Sequence, residues 1–208
     1  MNALVEVHIV TYAQKEYIAQ AIESVLAQQT SFKFKIKIGD DGSRDGTQDI
    51  ITAYQKKYPD LIELFINPEN RGARSPERIG VKLLENITCR YVALLDGDDY
   101  WCDPLKLQKQ VDALEKNTEC VACHHWHKIT VRNKEGVFEE RETSKTEDDG
   151  YLAIEKSDVG QIFNFRMRPQ SRTLMFRNVF TKQTIPNWFY SYQWTIPEFQ
   201  NCWSAQCS

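Results

Sequence analysis

Two short apolar runs in this 208-residue chain each end in a cluster of carboxylates, and that pairing limits the folds open to it. One run is Tyr91 to Leu95, followed by Asp96-Gly97-Asp98-Asp99-Tyr100-Trp101. The other is Phe34, Ile36 and Ile38, followed by Gly39-Asp40-Asp41-Gly42-Ser43-Arg44-Asp45-Gly46-Thr47. Runs of this kind read as strands. Taken alone, either cluster is equally an ordinary acidic turn, since Asp and Gly are the commonest turn formers. Two of them at strand ends imply one shared cleft, because ligands of open α/β sheets sit beyond the carboxyl ends of the strands. Clustered like charges repel, a cost that a bound cation usually offsets. All-oxygen ligands favour a hard divalent ion such as Mg2+ or Mn2+, and such an ion normally carries a phosphate.

The rest of the first half supplies the layers around such a cleft. Leu4 to Val10 alternates apolar residues with Glu6 and His8 and predicts a first strand closed by Thr11-Tyr12. Ile18, Ala21, Ile22, Val25 and Leu26 recur at helical spacing between Glu16 and Gln28. Thr47 to Tyr58 predicts a second helix, capped by Asp45 or Thr47 and stopped by Pro59, and Leu61 to Ile66 a third strand. A helix from Pro76 to Asn86 precedes the Tyr91 strand, and Asp103-Pro104 starts another through Leu114. This βαβαβ alternation predicts an α/β fold, a Rossmann-like, mostly parallel central sheet with helices on both faces. Beyond Glu115, Cys120 to Val131 reads as a strand pair and Asn133 to Gly150 as a polar, acidic, mobile stretch. Ile162 to Phe165 and Thr173 to Phe176 read as short strands.

At 41% hydrophobic residues the chain can fill one core, and one domain is expected, with a first half over 1–115 and a second half over 116–208. A net charge of -3 and no local basic patch argue against nucleic acid. No run has the length of a membrane span, and the first residues lack the blocks of a signal peptide. A cytoplasmic location with reduced thiols is therefore expected for the six cysteines.

With both acidic turns in place, the chain resembles the family 2 glycosyltransferases, enzymes of GT-A fold that move a sugar from a nucleotide-sugar donor. The resemblance runs from Val5 to about Arg177. It rests on Val10-Thr11-Tyr12 with Ile18 through Gln28, on Asp40-Asp41-Gly42-Ser43 with Asp45-Gly46-Thr47, and on Leu94-Leu95-Asp96-Gly97-Asp98-Asp99. Tyr100 through Gln110 is similar to members from bacterial surface-polysaccharide pathways. The resemblance implies a donor nucleotide site built from Thr11, Tyr12, Glu16, Asp40, Asp41, Arg71, Asp96 and Gly97. It implies Mn2+ or Mg2+ on Asp98, with Asp96 and Asp99, the Asp96-Gly97-Asp98 stretch matching the family's DXD motif. Tyr12 would lie against a uracil and Asp40 would accept its imide N–H, unless Asp40 is a turn or cap aspartate. Arg71 and, less directly, Arg78 would face the donor, or else belong to a solvated helix start. The implied function is inverting, metal-dependent transfer from a UDP-sugar to a glycan or lipid-linked saccharide in cell-surface polysaccharide biosynthesis. Peripheral association with the inner face of the cell membrane goes with that role.

The resemblance breaks where the general base belongs. The family usually places an acid before Trp at the position of Tyr192-Gln193-Trp194, and an amide is no base at neutral pH. Glu198 is the acid left in the tail, with Asp158 a weaker substitute. Thr195 through Ser208 fits neither helix nor strand periodicity and reads as truncated or frame-shifted, leaving the second half incomplete. A catalytically impaired donor-binding remnant is therefore an alternative. A sugar nucleotidyltransferase is another, although Thr11 to Glu16 lacks the Gly-rich basic loop such enzymes carry. Cys120-Val121-Ala122-Cys123-His124 matches a haem-attachment pattern and His125 and His127 add possible zinc ligands, but buried thiols on a strand explain them better. Trp188, Phe189, Tyr190, Tyr192 and Trp194 read as core or as a sugar platform, and Arg166, Arg168 and Arg172 as a solvated basic face or contacts to an anionic acceptor.

Overall fold

The computed structural model describes residues 2–72, 75, 77–125, 127–132, 134, 137–141, 170–178 and 203–206. The first half follows the predicted alternation: β1 (Val5–Thr11), α1 (Ile18–Leu26), β2 (Phe34–Asp40), α2 (Thr47–Lys57), β3 (Ile62–Ile66), α3 (Ile79–Glu85), β4 (Tyr91–Asp96) and α4 (Lys106–Lys116). The helix expected from Pro76 begins only at Ile79, and the one expected from Asp103 begins at Lys106.

Strands run in the order β3-β2-β1-β4, all parallel. The chain leaves β1 to one side through β2 and β3, then returns to its other side with β4, so the carboxyl end of β1 is the topological switch point. Thr11 is level with Asp40 on β2, and Val10 with Asp96 on β4. With neighbouring strands ~4.8 Å apart, the two acidic strand ends lie ~10 Å from each other with the end of β1 between them.

Side chains alternate between the faces of this sheet. Val5, Val7 and Ile9 of β1, Ile36 and Ile38 of β2, and Tyr91, Ala93 and Leu95 of β4 share a core with Ile18, Ile22 and Val25 of α1, Ile51 of α2 and Leu107 and Leu114 of α4. The opposite face is covered by α3, which lies so close that a Cβ on Gly39 would sit 2.6 Å from Ile79 Cγ1. Helices thus cover both faces.

That second face explains the polar residues of β1. A strand with polar alternation ordinarily leaves that side to water, yet Glu6, His8 and Lys37 are all buried. Glu6 Oε1 accepts the Thr88 N–H (2.8 Å), the Thr88 hydroxyl (2.6 Å) and the Cys89 N–H (3.1 Å). Its Oε2 lies 3.0 Å from Lys37 Nζ and 3.1 Å from His8 Nε2, and Lys37 also donates to the Asn86 carbonyl. Burial alone would raise the Glu6 carboxyl, but the hydrogen bonds from His8, Thr88 and Lys37 hold it far below the usual range. Burial lowers the pKa of His8, against the opposing pull of Glu6.

Past α4 the sheet continues differently. β8 (Met175–Arg177) runs antiparallel between β4 and β5 (Ala122–His124), and β9 (Trp203–Gln206) lies parallel to β5. The strand pair expected over Cys120 to Val131 is not made: β5 joins the main sheet, and β6 (Ile129–Arg132) pairs instead with β7 (Phe138–Arg141). β7 lies inside the stretch expected to be mobile, and β9 inside the tail expected to lack strand character. Before β8, a 3-10 turn (Ser171–Thr173) replaces the start of the expected Thr173 strand. Arg177 locks these parts together, donating to the Cys120 carbonyl and the Tyr91 hydroxyl, each at 2.8 Å. The Ile162 to Phe165 strand, Arg166, Arg168, Asp158, the aromatic cluster from Trp188 to Trp194, and Glu198 lie outside the described residues.

Candidate functional site

Three loops meet at the switch point. The loop after β1 is stitched to the loop after β2 by three backbone donors: Ala13 N–H to Ser43 Oγ (2.8 Å), Gln14 N–H to Thr47 Oγ1 (3.0 Å) and Lys15 N–H to Asp45 Oδ2 (3.0 Å). Asp45 also takes the Thr47 N–H at 3.0 Å, but the N-cap of α2 is Gly46 in the left-handed region, not the Asp45 or Thr47 expected from the sequence. The loop after β3 reaches the same place through Asp41, whose carboxylate accepts Asn67 Nδ2 (2.6 Å) and the N–H groups of Arg71 (3.1 Å) and Gly72 (2.9 Å).

The two neighbouring aspartates have different tasks. Asp40 has no exposed surface and spends its carboxylate on its own turn, accepting from Gly42 N (3.1 Å), Ser43 N (2.9 Å), the Ser43 hydroxyl and Gln48 Nε2 (2.7 Å). Asp40 thus serves the turn, the second of the two roles expected for it. Arg71 is likewise engaged, its guanidinium 3.2 Å from Glu69 and 3.4 Å from Glu77. Arg78 donates to the Ser75 carbonyl, and burial lowers its pKa. Glu16 is exposed at the start of the α1 approach, and Tyr12 is 49% exposed, its ring facing solvent beside the cleft.

Gly97 is the pivot of the acidic turn after β4. Its N–H continues the ladder to the Val10 carbonyl (2.8 Å), and a Cβ there would lie 2.4 Å from Gln14 Oε1 and 2.8 Å from Thr11 Oγ1. Those two oxygens, three residues apart where β1 ends, are both buried without a hydrogen-bond partner within the chain. Buried acceptors in this condition are ordinarily met by an ordered water or a ligand. Sequence reasoning found Thr11 but missed Gln14, which carries no motif and becomes visible only through its approach to Gly97.

The three acids of the turn diverge. Asp96 Oδ2 accepts the Ser171 hydroxyl at 2.7 Å, and Asp99 Oδ2 pairs with Arg172 Nη1 at 3.1 Å. Asp98 is exposed. Burial raises the Asp99 carboxyl, Arg172 opposes that rise, and Asp96 and Asp98 add to it. Behind the turn, Trp101 donates its backbone N–H to Ser24 Oγ and its indole N–H to the Arg172 carbonyl, each at 3.1 Å, while Lys106 Nζ sits 3.5 Å from its ring centroid. Among the described residues no three His, Cys, Asp or Glu side chains converge as a metal cage, the haem-like Cys120-Cys123-His124 stretch included.

A family model for glycosyl transferase family 2 matches residues 6–182, which spans β1, both acidic turns and β8. The chain belongs to that family. As a family 2 glycosyltransferase it is 30% identical over 187 residues to the putative teichuronic acid biosynthesis glycosyltransferase TuaG of Bacillus subtilis, covering 89% of this chain and 70% of that protein. It superposes on residues 1–349 of S. aureus TarS in complex with UDP-GlcNAc with a TM-score of 0.58 at 19% identity, over 84% of this chain and 45% of that one. It superposes on the mannosyltransferase PcManGT of Pyrobaculum calidifontis, in complex with GDP-Man and Mn2+, with a TM-score of 0.53 at 22% identity, over 61% and 36% of the two chains. These likenesses establish the GT-A fold. The chain spans 33% of the length of the curated mycobacterial relatives it matches. No helix among the described residues is long and apolar enough to cross a membrane.

Proposed function

We propose that this chain transfers a sugar from a UDP-sugar to a glycan or lipid-linked saccharide, with inversion and with a divalent metal, in surface-polysaccharide assembly. The observation that carries the reading is the pair of unsatisfied oxygens, Thr11 Oγ1 and Gln14 Oε1, enclosed between two acidic strand ends beside an exposed Asp98. Oxygens of this kind suit the N–H or O–H donors of a nucleoside, and Tyr12 offers a ring face for its base. Of the two acids after β2, Asp41 is the one assigned to the base side. It already orders the Asn67 to Gly72 loop there, whereas Asp40 is saturated by its turn.

Asp98 is assigned to the metal, with Asp96 oriented by Ser171 at its side. When bound, Mn2+ or Mg2+ would neutralise the charge that the diphosphate gains as it leaves. The chain's own contribution is to present the carboxylates at the end of a rigid strand and, with no side chain at Gly97, to let the acidic turn pack directly against Thr11 and Gln14. Glu198 is the candidate for the base that deprotonates the acceptor hydroxyl. The likeness to TuaG, named for teichuronic acid biosynthesis, supports a surface-polymer acceptor, and the UDP-GlcNAc complex of TarS accords with a UDP-linked donor.

Calorimetric titration of UDP, and in parallel GDP, with and without Mn2+ tests the donor half. UDP should bind only with Mn2+, and Asp98→Ala should abolish that binding while leaving thermal stability unchanged, since the residue is exposed. Preference for GDP would overturn the donor assignment, and binding indifferent to Mn2+ or to Asp98→Ala would overturn the metal assignment.

A further inference from the structure

The 3-10 turn Ser171–Thr173 is held at four points to parts of the fold far away in sequence. Ser171 donates to Asp96 (2.7 Å), Arg172 Nη1 donates to Asp99 (3.1 Å), the Arg172 carbonyl accepts the Trp101 indole N–H (3.1 Å), and the Thr173 carbonyl accepts Gln110 Nε2 (2.9 Å). Two of those points are acids of the metal turn. The remaining two, Trp101 and Gln110, are buried, with Trp101 fixed to α1 through Ser24 and Gln110 seated in α4. The 3-10 turn is therefore a rigid brace lying against the acidic turn, and not a strand end that happens to pass by.

From this geometry we infer that Arg172 is a positioning residue of the donor site: it withdraws Asp99 from the metal, so that Asp98 and Asp96 alone present carboxylates to the cation and diphosphate. The inference rests on the metal assignment proposed for this site. Its physical basis is charge placement. Three carboxylates lie within four consecutive residues, and a diphosphate brings further negative charge to the same spot. Arg172 and Asp99 are 29% and 28% exposed, so their pairing is shielded enough from water to matter. Without the guanidinium, Asp99 loses the cation that holds it and can rotate toward the metal, adding charge that repels the diphosphate and disturbing the ligand set. The planar fork of Arg172, tied at its own carbonyl by Trp101, fixes where Asp99 points; a lysine would neutralise it without fixing it.

The test is calorimetric affinity for UDP in the presence of Mn2+, with melting temperature recorded for each variant. Arg172→Ala should weaken binding by about tenfold, and Arg172→Lys should lose about threefold, in line with couplings between directly contacting charges. Removing the charge that Arg172 controls should repair the loss: Arg172→Ala with Asp99→Asn should bind within about threefold of the parent chain. A purely structural role would give no such rescue; direct contact of Arg172 with the diphosphate would make the gain from Asp99→Asn the same with and without Arg172, whereas the inference requires that gain only in the Arg172→Ala background. The inference is overturned if the double variant binds as weakly as Arg172→Ala, or if Arg172→Ala binds like the parent. Should Arg172→Ala fail to fold, a comparison of Arg172→Lys with Arg172→Lys plus Asp99→Asn asks the same question. If the parent chain itself binds neither UDP nor GDP with Mn2+, the metal assignment has failed, and that result is distinct from loss in the variants alone.

Discussion

Replacing Glu6 with glutamine should be among the most damaging single changes in the first half of the chain, although it alters one atom far from the acidic turns. Five donors converge on this carboxylate, three on Oε1 and two on Oε2. A glutamine can keep its carbonyl toward Thr88 and Cys89, but its NH2 then faces Lys37 Nζ, which is itself buried and has lost its close counter-charge. The other carboxylate near Lys37, Glu63, is 3.9 Å away and 56% exposed, too weakly placed to compensate. Breaking one side of a buried pair costs about 3–5 kcal/mol, a large part of the ~5–15 kcal/mol that holds a domain together. At ~2–4 °C per kcal/mol for a domain of this size, the melting temperature should fall by about 6–20 °C. Circular dichroism melts of Glu6→Gln, with Glu6→Gln/Lys37→Met as the uncharged control, measure it. The control should recover much of the loss, since the glutamine carbonyl still accepts from Thr88 and Cys89 and no unpaired charge is left buried. A Glu6→Gln melt within about 2 °C of the parent would refute the argument that the pair, and not its shape, matters here.

Gly97→Ala should cost ~1–3 kcal/mol and weaken Mn2+-dependent UDP binding, because the new methyl overlaps Thr11, which β1 holds in place; unchanged binding in a calorimeter would count against a tight passage at Gly97. Acid should destabilise the fold before it reaches the carboxylates. Burial lowers the pKa of His8, facing Glu6, Lys37 and Glu63, and that of His124 and His127, with Arg172 adding to the shift at His127. A histidine lowered on folding binds fewer protons folded than unfolded, so its contribution is intact above 6.5 and is lost as pH falls below it. Urea unfolding between pH 8 and pH 5 should show stability dropping by up to about 1.4 kcal/mol per pH unit per histidine on the acid side. A stability that rises as pH falls through that interval would refute it.

The layered sheet was legible because its signals are local. Period-2 runs and amphipathic spacing declare strands and helices one at a time, and carboxylates crowded at a strand end make little sense for packing alone. What sequence could not show depends on partners far along the chain. Glu6 and His8 look like the wet side of a strand until α3 and the Thr88 turn are seen to cover them. Asp40 and Asp41 are indistinguishable as letters, and only the turn geometry tells which one is consumed internally. Arg172 reads as one more surface charge, because nothing local reveals that its turn lies against residues 96 to 101. β7 and β9 were missed since short strands in polar or irregular stretches owe their existence to a neighbour's edge, not to their own pattern.

The antiparallel insertion of β8 bears on how the chain is made. Once α4 has left the ribosome, β3-β2-β1-β4 has every strand it needs to pair, but the outer edge of β4 has no partner until β8 is synthesised roughly sixty residues later. At ~5–20 residues per second that edge waits ~3–12 s on the nascent chain. An unpaired strand edge is a template for association with other chains. Synonymous changes that slow translation between α4 and β8 should therefore lower the soluble yield, although the finished protein is identical.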